Sequence, residues 1–156
     1  LIDGGGQEMD KRAGTINVYE IYYLTNVLEK TVASMEKNKR YLTKLNKYFE
    51  NKIKSEINGK ILFENSLRSP HIINFRLINT NHQDIFVLLD KKNISVSIGS
   101  ACASKSQKLS DVLKALGLKD EEIKETIRVS FASANSIKEI DKFIKELKMI
   151  YADYQK

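Results

Sequence analysis

The sequence predicts an α/β domain built in two layers, with one long helix ahead of it. Two observations carry that expectation. Apolar residues recur at three- and four-residue steps from about 19 to 53, and short strands alternate with helices from residue 60 onward. A glycine-rich opening stretch stands apart from both.

Taken in order, Gly4-Gly5-Gly6-Gln7-Glu8 and Lys11-Arg12-Ala13-Gly14-Thr15-Ile16-Asn17 read as loop. So long a loop is an odd start for a compact domain, so 1–18 is expected to be the tail of something upstream. The missing initiator Met agrees. Ile21, Leu24, Leu28, Val32 and Met35, then Leu42, Leu45 and Phe49, mark one face of a helix over 19–53. At roughly 1.5 Å per residue it runs near 50 Å, more than one small core covers. It is expected to bridge two domains or to pack on a partner subunit.

The third segment, 54–156, is expected to be the small α/β domain. Beyond Asn58-Gly59, residues 60–63 and 72–78 read as strands. Thr80-Asn81-His82-Gln83 has capping-box spacing ahead of Ile85, Phe86, Leu88 and Leu89. Residues 94–97 alternate as a half-buried strand. Ser110 can cap a short helix through Leu116, with Gly117 as its stop, and Asp120-Glu121-Glu122 opens another. Over 126–132, Ile127, Val129 and Phe131 alternate with Arg128 and Ser130. Ser136-Ile137-Lys138-Glu139 is a second capping box, followed by Ile137, Ile140, Ile144, Leu147, Tyr151 and Tyr154 on one helical face.

The chain has 156 residues, 42% hydrophobic and 29% charged, the balance of a soluble globular protein. No apolar stretch approaches the roughly 20 residues of a membrane span, so no membrane association is expected. The first residues have neither the basic region nor the apolar core of a secretory signal. A single cysteine makes no internal disulfide, and no Cys/His cluster exists for a resident metal. The reducing cytoplasm is the expected compartment. His71 and His82 read as solvated or helix-end residues. The net charge of +6 comes from lysines scattered along helical stretches. Without a recognition motif it reads as solvated faces, then as an attraction for an acidic protein, and no direct nucleic-acid contact is expected.

Chemistry points to two residues. Cys102 lies among Gly99, Ser100, Ala101, Ala103 and Ser104, a run that buries little and bends easily, with Lys105 and Lys108 behind it. That is the setting of an accessible, reactive thiol rather than a packed one. Arg128 sits on the polar face of a strand, and its planar fork suits a carboxylate. Each alone is weak: a lone cysteine more often has no role, and strand arginines are mostly solvated or salt-bridged.

Four motifs in order resolve this. Gly4-Gly5-Gly6-Gln7-Glu8 with Arg12-Ala13-Gly14-Thr15-Ile16-Asn17, then Ser69-Pro70-His71-Ile72-Ile73-Asn74, Gly99-Ser100-Ala101-Cys102 and Ile127-Arg128-Val129-Ser130 run along nearly the whole chain. Together they resemble the C-terminal part of the NifS/IscS-like cysteine desulfurases, pyridoxal-phosphate enzymes of the class V aminotransferase superfamily.

The resemblance implies the C-terminal small domain of a fold-type I pyridoxal-phosphate enzyme, with a connecting helix and a stub of the large domain. It implies L-cysteine as substrate, L-alanine as product and a persulfide on Cys102, passed to a sulfur-acceptor protein for iron–sulfur cluster assembly or thiolation. Arg128 would hold the substrate carboxylate, with Asn17 a further substrate contact. Thr15 would reach the cofactor phosphate of the neighbouring subunit in a homodimer, and Arg12 would shape the loop. Cys102 could also serve as a transient iron–sulfur ligand with a scaffold. The family's cofactor-anchoring lysine and the aspartate on the pyridine nitrogen lie upstream of the glycine segment. This chain alone is therefore expected to be inactive.

Ala132 and Ser133 replace a Gly-Arg pair usual in one IscS-like branch, while the long loop around Cys102 favours the NifS/IscS-like group over the SufS-like one. A selenocysteine lyase-like enzyme and a non-catalytic interaction module are the alternatives.

Overall fold

A computed structural model describes residues 3–99 and 109–154. The chain divides into two compact units, 1–37 and 38–156, so the boundary falls inside the first helix, α1 (Val18–Lys52). In the first unit, residues 3–17 form a loop of turns closed by the Lys11 N–H on the Glu8 carbonyl. Gly4 approaches Ala13 so closely that a Cβ at position 4 would lie 2.8 Å from the alanine methyl. Glu8, Met9 and Asp10 take φ of 53°, 54° and 61°, three successive side chains in the left-handed region. Asn17 starts α1: its Oδ1 accepts the Glu20 N–H at 3.2 Å, an N-cap. Along this unit's part of α1, the predicted apolar stripe of Ile21, Leu24, Leu28, Val32 and Met35 is exposed.

In the second unit the same helix is buried. Leu45, Asn46 and Phe49 face the core, and a π-helical turn, Ile53–Ile57, carries the chain round. The sheet that follows has the order β1 (Lys60–Ile61), β2 (Ile72–Arg76), β3 (Thr126–Ser130), all antiparallel. Between β2 and β3 come α2 (His82–Asp90), α3 (Asp111–Ala115) and α4 (Asp120–Lys124); α5 (Ile137–Tyr154) closes the fold. The expected two-layer α/β architecture is what forms.

Alternation decides which side chains face the helices. Ile73 and Phe75 of β2 and Ile127 of β3 are fully buried, against Phe49 of α1 and Ile140, Phe143, Ile144 and Leu147 of α5. Phe49 is the hub, with ring centroids 5.7 Å from Phe75, 5.5 Å from Phe131 and 5.3 Å from Phe143. On α5 the buried set includes Phe143 and Ile150, which the predicted stripe omitted, while Ile137 stays exposed.

Helix punctuation follows the sequence in three of its four expected places. Ser136 and Glu139 form the reciprocal capping box: the Ser136 Oγ accepts the Glu139 N–H, and the Glu139 carboxylate accepts the Ser136 N–H at 2.7 Å. Ser110 caps α3, and Gly117, with φ 89°, follows the helix's C-cap Leu116 as its stop. The three acidic residues from Asp120 open α4. The box expected at Thr80 does not form. Thr80 is buried and donates its hydroxyl to the Leu77 carbonyl, so Asn81 takes over the cap by accepting the Gln83 N–H.

The expected strand over 94–97 shrinks to one antiparallel bridge, Ser97 with Arg128. Ile94, Val96 and Ile98 still pack against the core, and Gly99 takes φ 64°. Among the described residues no helix is long and apolar enough to cross a membrane.

Candidate functional site

The sheet face turned away from the core is polar. β2 contributes Ile72, Asn74 and Arg76 to it, and β3 contributes Thr126, Arg128 and Ser130. Register pairs them across the strands as Ile72 with Ser130, Asn74 with Arg128, and Arg76 with Thr126.

One end of this face is neutralised. The Arg76 guanidinium donates through Nε to Glu125 Oε2 at 2.5 Å and through Nη1 to Glu122 Oε1 at 2.5 Å. Glu125 also accepts the Asn79 N–H at 2.7 Å. The Lys119 N–H on Glu122, followed by the Arg76 charge, holds the Glu122 carboxyl below the usual carboxylate range. His82 sits behind this end, buried, with Nδ1 3.0 Å from the Ile123 carbonyl and 3.3 Å from the Thr126 carbonyl. Two acceptors at one nitrogen assign the proton to Nδ1. This answers the sequence expectation for His82: it is a helix-start residue, and a buried one rather than solvated.

Arg128, two residues along β3, has the opposite circumstances. Its Nε is buried and has no hydrogen-bond partner, and among the described residues its guanidinium has no ion pair. Its backbone is fully used, exchanging both hydrogen bonds with Ser97: Ser97 N–H to the Arg128 carbonyl at 2.9 Å, Arg128 N–H to the Ser97 carbonyl at 2.8 Å. A half-buried cation without a counter-charge costs free energy unless a ligand supplies one.

Cys102 and its neighbours Lys105 and Lys108 lie outside the described residues. The covalent chain still constrains the thiol's reach. Cys102 is the fifth residue after Ser97, a span of at most about 18 Å when fully extended. Thr15 and Asn17 belong to the first unit. Thr15 is exposed beside Gly14 (φ 102°), and its hydroxyl has no partner among the described residues. Asn17 commits its Oδ1 to capping α1, a role the sequence reading did not name, and its amide Nδ2 has no partner among the described residues. Arg12 is exposed, its backbone N–H directed at the Gln7 carbonyl.

Asn74 and Ser97 flank Arg128 in the sheet, yet neither was singled out from sequence. Asn74 ends the Ser69-to-Asn74 motif and Ser97 ends the strand expected over 94–97, each without a role of its own. What sequence could not supply is register, which makes these two the neighbours of Arg128.

Comparison with known proteins bears on the family and the fold. The family model for class-V aminotransferases matches residues 5–143. A cysteine desulfurase IscS from Dictyoglomus turgidum is 38% identical over 76% of this chain and 30% of its own length. The cysteine desulfurase IscS of Clostridium botulinum strain Hall is 33% identical over 100% of this chain and 43% of its own length. A crystal structure of a NifS-like protein from Rickettsia africae superposes with a TM-score of 0.80 at 32% identity, over 97% of this chain and 39% of that one. This chain therefore spans well under half the length of these relatives. Enzymes of this kind are generally pyridoxal-phosphate dependent. With the matched model covering the glycine-rich loop, the long helix and the sheet bearing Arg128, the chain belongs to the class-V aminotransferase family.

Proposed function

We propose that this chain is the small-domain segment of a pyridoxal-phosphate-dependent cysteine desulfurase. The observation that carries the reading is Arg128: a guanidinium without a counter-charge among the described residues, bridged through its backbone to the strand that leads into Gly99-Ser100-Ala101-Cys102. The relatives named cysteine desulfurase support it.

In this reading Arg128 grips the carboxylate of L-cysteine through parallel hydrogen bonds and fixes the direction in which the substrate thiol points. Asn17, through its Nδ2, adds a second polar contact. Thr15 donates its hydroxyl to the phosphate of a cofactor held by the neighbouring subunit of a homodimer. When bound, pyridoxal phosphate supplies an electron sink for the amino acid.

The Cys102 thiolate attacks the substrate sulfur. An S–S bond forms and the substrate's carbon–sulfur bond breaks. The electron pair of that bond stays with the carbon, which takes up a proton and leaves as L-alanine. Cys102 keeps the sulfur as a persulfide, whose outer atom passes to an acceptor protein. A single cysteine with no disulfide to maintain fits the reducing cytoplasm.

The test is mass spectrometry on the full-length, cofactor-loaded protein after exposure to L-cysteine, with alanine assayed in parallel. The expected result is a gain of one sulfur atom on the peptide carrying Cys102, absent in Cys102→Ser. Absence of both alanine and added sulfur from the unsubstituted protein would overturn the reading. Selenocysteine turnover surviving Cys102→Ser, with cysteine turnover negligible throughout, would replace it with a lyase.

A further inference from the structure

We infer that Asn74 and Ser97 complete a three-strand carboxylate cradle around Arg128, with Asn74 setting the orientation of the bound amino acid. This rests on the desulfurase reading for the identity of the substrate. It rests on the sheet alone for the cradle.

The hydrogen-bond pattern makes the placement specific. The Phe131 N–H reaches the His71 carbonyl and the Leu77 N–H reaches the Glu125 carbonyl, so the hydrogen-bonded pairs of β2 and β3 are those at odd positions. Asn74 and Arg128 are therefore a non-hydrogen-bonded pair, the kind in which opposed side chains stand closest, with Cβ atoms about 5 Å apart. On its other edge Arg128 exchanges both backbone hydrogen bonds with Ser97. Opposed residues in antiparallel strands project to the same face, so Asn74, Arg128 and Ser97 form one row across three chain segments.

All three are half-buried, and among the described residues neither the Asn74 carboxamide nor the Ser97 hydroxyl has a hydrogen-bond partner. Half-buried polar groups left open beside an arginine with an orphaned Nε share one natural occupant. A carboxylate has two oxygens with roughly four acceptor sites; Arg128 fills two, and the Asn74 Nδ2 and Ser97 Oγ can donate to the others. Arg76, on the same face, cannot serve, because Glu122 and Glu125 already fill its fork.

Asn74 is a positioning residue in this account, and an introduced negative charge is its sharpest probe. Asn74→Asp puts an internal carboxylate opposite Arg128, where it pairs with the guanidinium and excludes the ligand's own. The measurement is ligand binding to the full-length, cofactor-loaded protein. L-alanine is compared with ethylamine, which keeps the amine and lacks the carboxylate. Asn74→Asp is expected to weaken L-alanine at least 30-fold and leave ethylamine within about 2-fold. Asn74→Ala, the variant with no new charge, is expected to weaken L-alanine about 10-fold, and Ser97→Ala about 3-fold, as losses of hydrogen bonds to a charged group. Asn74→Asp and Asn74→Ala both binding L-alanine like the unsubstituted protein would overturn the cradle, as would parallel losses for both ligands. These outcomes are independent of turnover: a protein that binds L-alanine through this row yet makes no persulfide from cysteine keeps the cradle and loses the desulfurase reading.

Discussion

Two arginines stand on the same face of one small sheet, and their surroundings are opposite. Arg76 is locked between Glu122 and Glu125, with His82 buried behind it. Among the described residues, Arg128 Nε is buried without a partner, and its neighbours Asn74 and Ser97 have no side-chain hydrogen bond. A satisfied, half-buried ion pair fixes the geometry of its end of the sheet. An unsatisfied one is tolerated where a ligand relieves it. The closed end holds β3 and α4 in place, so that the open end can present a cation at a fixed height and angle.

The largest effect should come from the open end. Arg128→Lys keeps the charge and loses the fork, and it should weaken L-alanine binding to the full-length protein about 100-fold. Its cost in folding stability should be under about 0.5 kcal/mol, because no protein partner among the described residues is lost. A calorimetric titration and a denaturant melt measure the two. Equal binding by the lysine variant would make the two arginines equivalent and remove the distinction.

The closed end should respond the other way. Glu125→Ala strips one carboxylate from Arg76 and the acceptor from the Asn79 N–H. The loss should be about 2 kcal/mol in urea unfolding, with L-alanine affinity changed less than 3-fold. A large affinity loss without a stability loss would place the anion site at the wrong end of the sheet.

Much of this was legible beforehand. Alternation put Arg128 on a polar face, and Ser136 to Glu139 announced the cap of α5, because both signals are local. Register is not local. The pairing of Asn74 and Ser97 with Arg128 depends on how three distant segments align, and no spacing within any one of them encodes it. Nor could the sequence separate Arg128 from Arg76, whose partners come from α4 and the residue just beyond it, some fifty residues downstream. Helix α1 teaches the related lesson: one apolar periodicity runs its whole length. Yet Leu45 and Phe49 are fully buried in the second unit, while Leu24 and Leu28 are exposed in the first. Periodicity names a face and leaves its cover unspecified.

The smallest effect is expected from pH, again at the closed end. Burial, reinforced by the nearby Lys124 charge, pushes the His82 imidazole below its ordinary value, and the two carbonyl contacts only partly counter this. The folded protein therefore holds His82 neutral, while the unfolded chain takes up a proton below about pH 6.5. Between the unfolded value and the lowered folded one, the unfolded state binds more protons. Stability is then fully present above about pH 6.5 and falls as the pH drops through that window, with a slope of at most about 1.4 kcal/mol per pH unit for one group. His82→Gln keeps an amide donor for the Ile123 and Thr126 carbonyls and removes the titration. Urea midpoints followed from pH 7.5 to 5 should slope in the parent and flatten in the variant, while Arg128, two residues along β3 from Thr126, keeps its affinity for L-alanine in both. A slope that survives His82→Gln would move the acid sensitivity to the carboxylates around Arg76. It would leave the closed end held by ion pairs rather than by a neutral, buried imidazole.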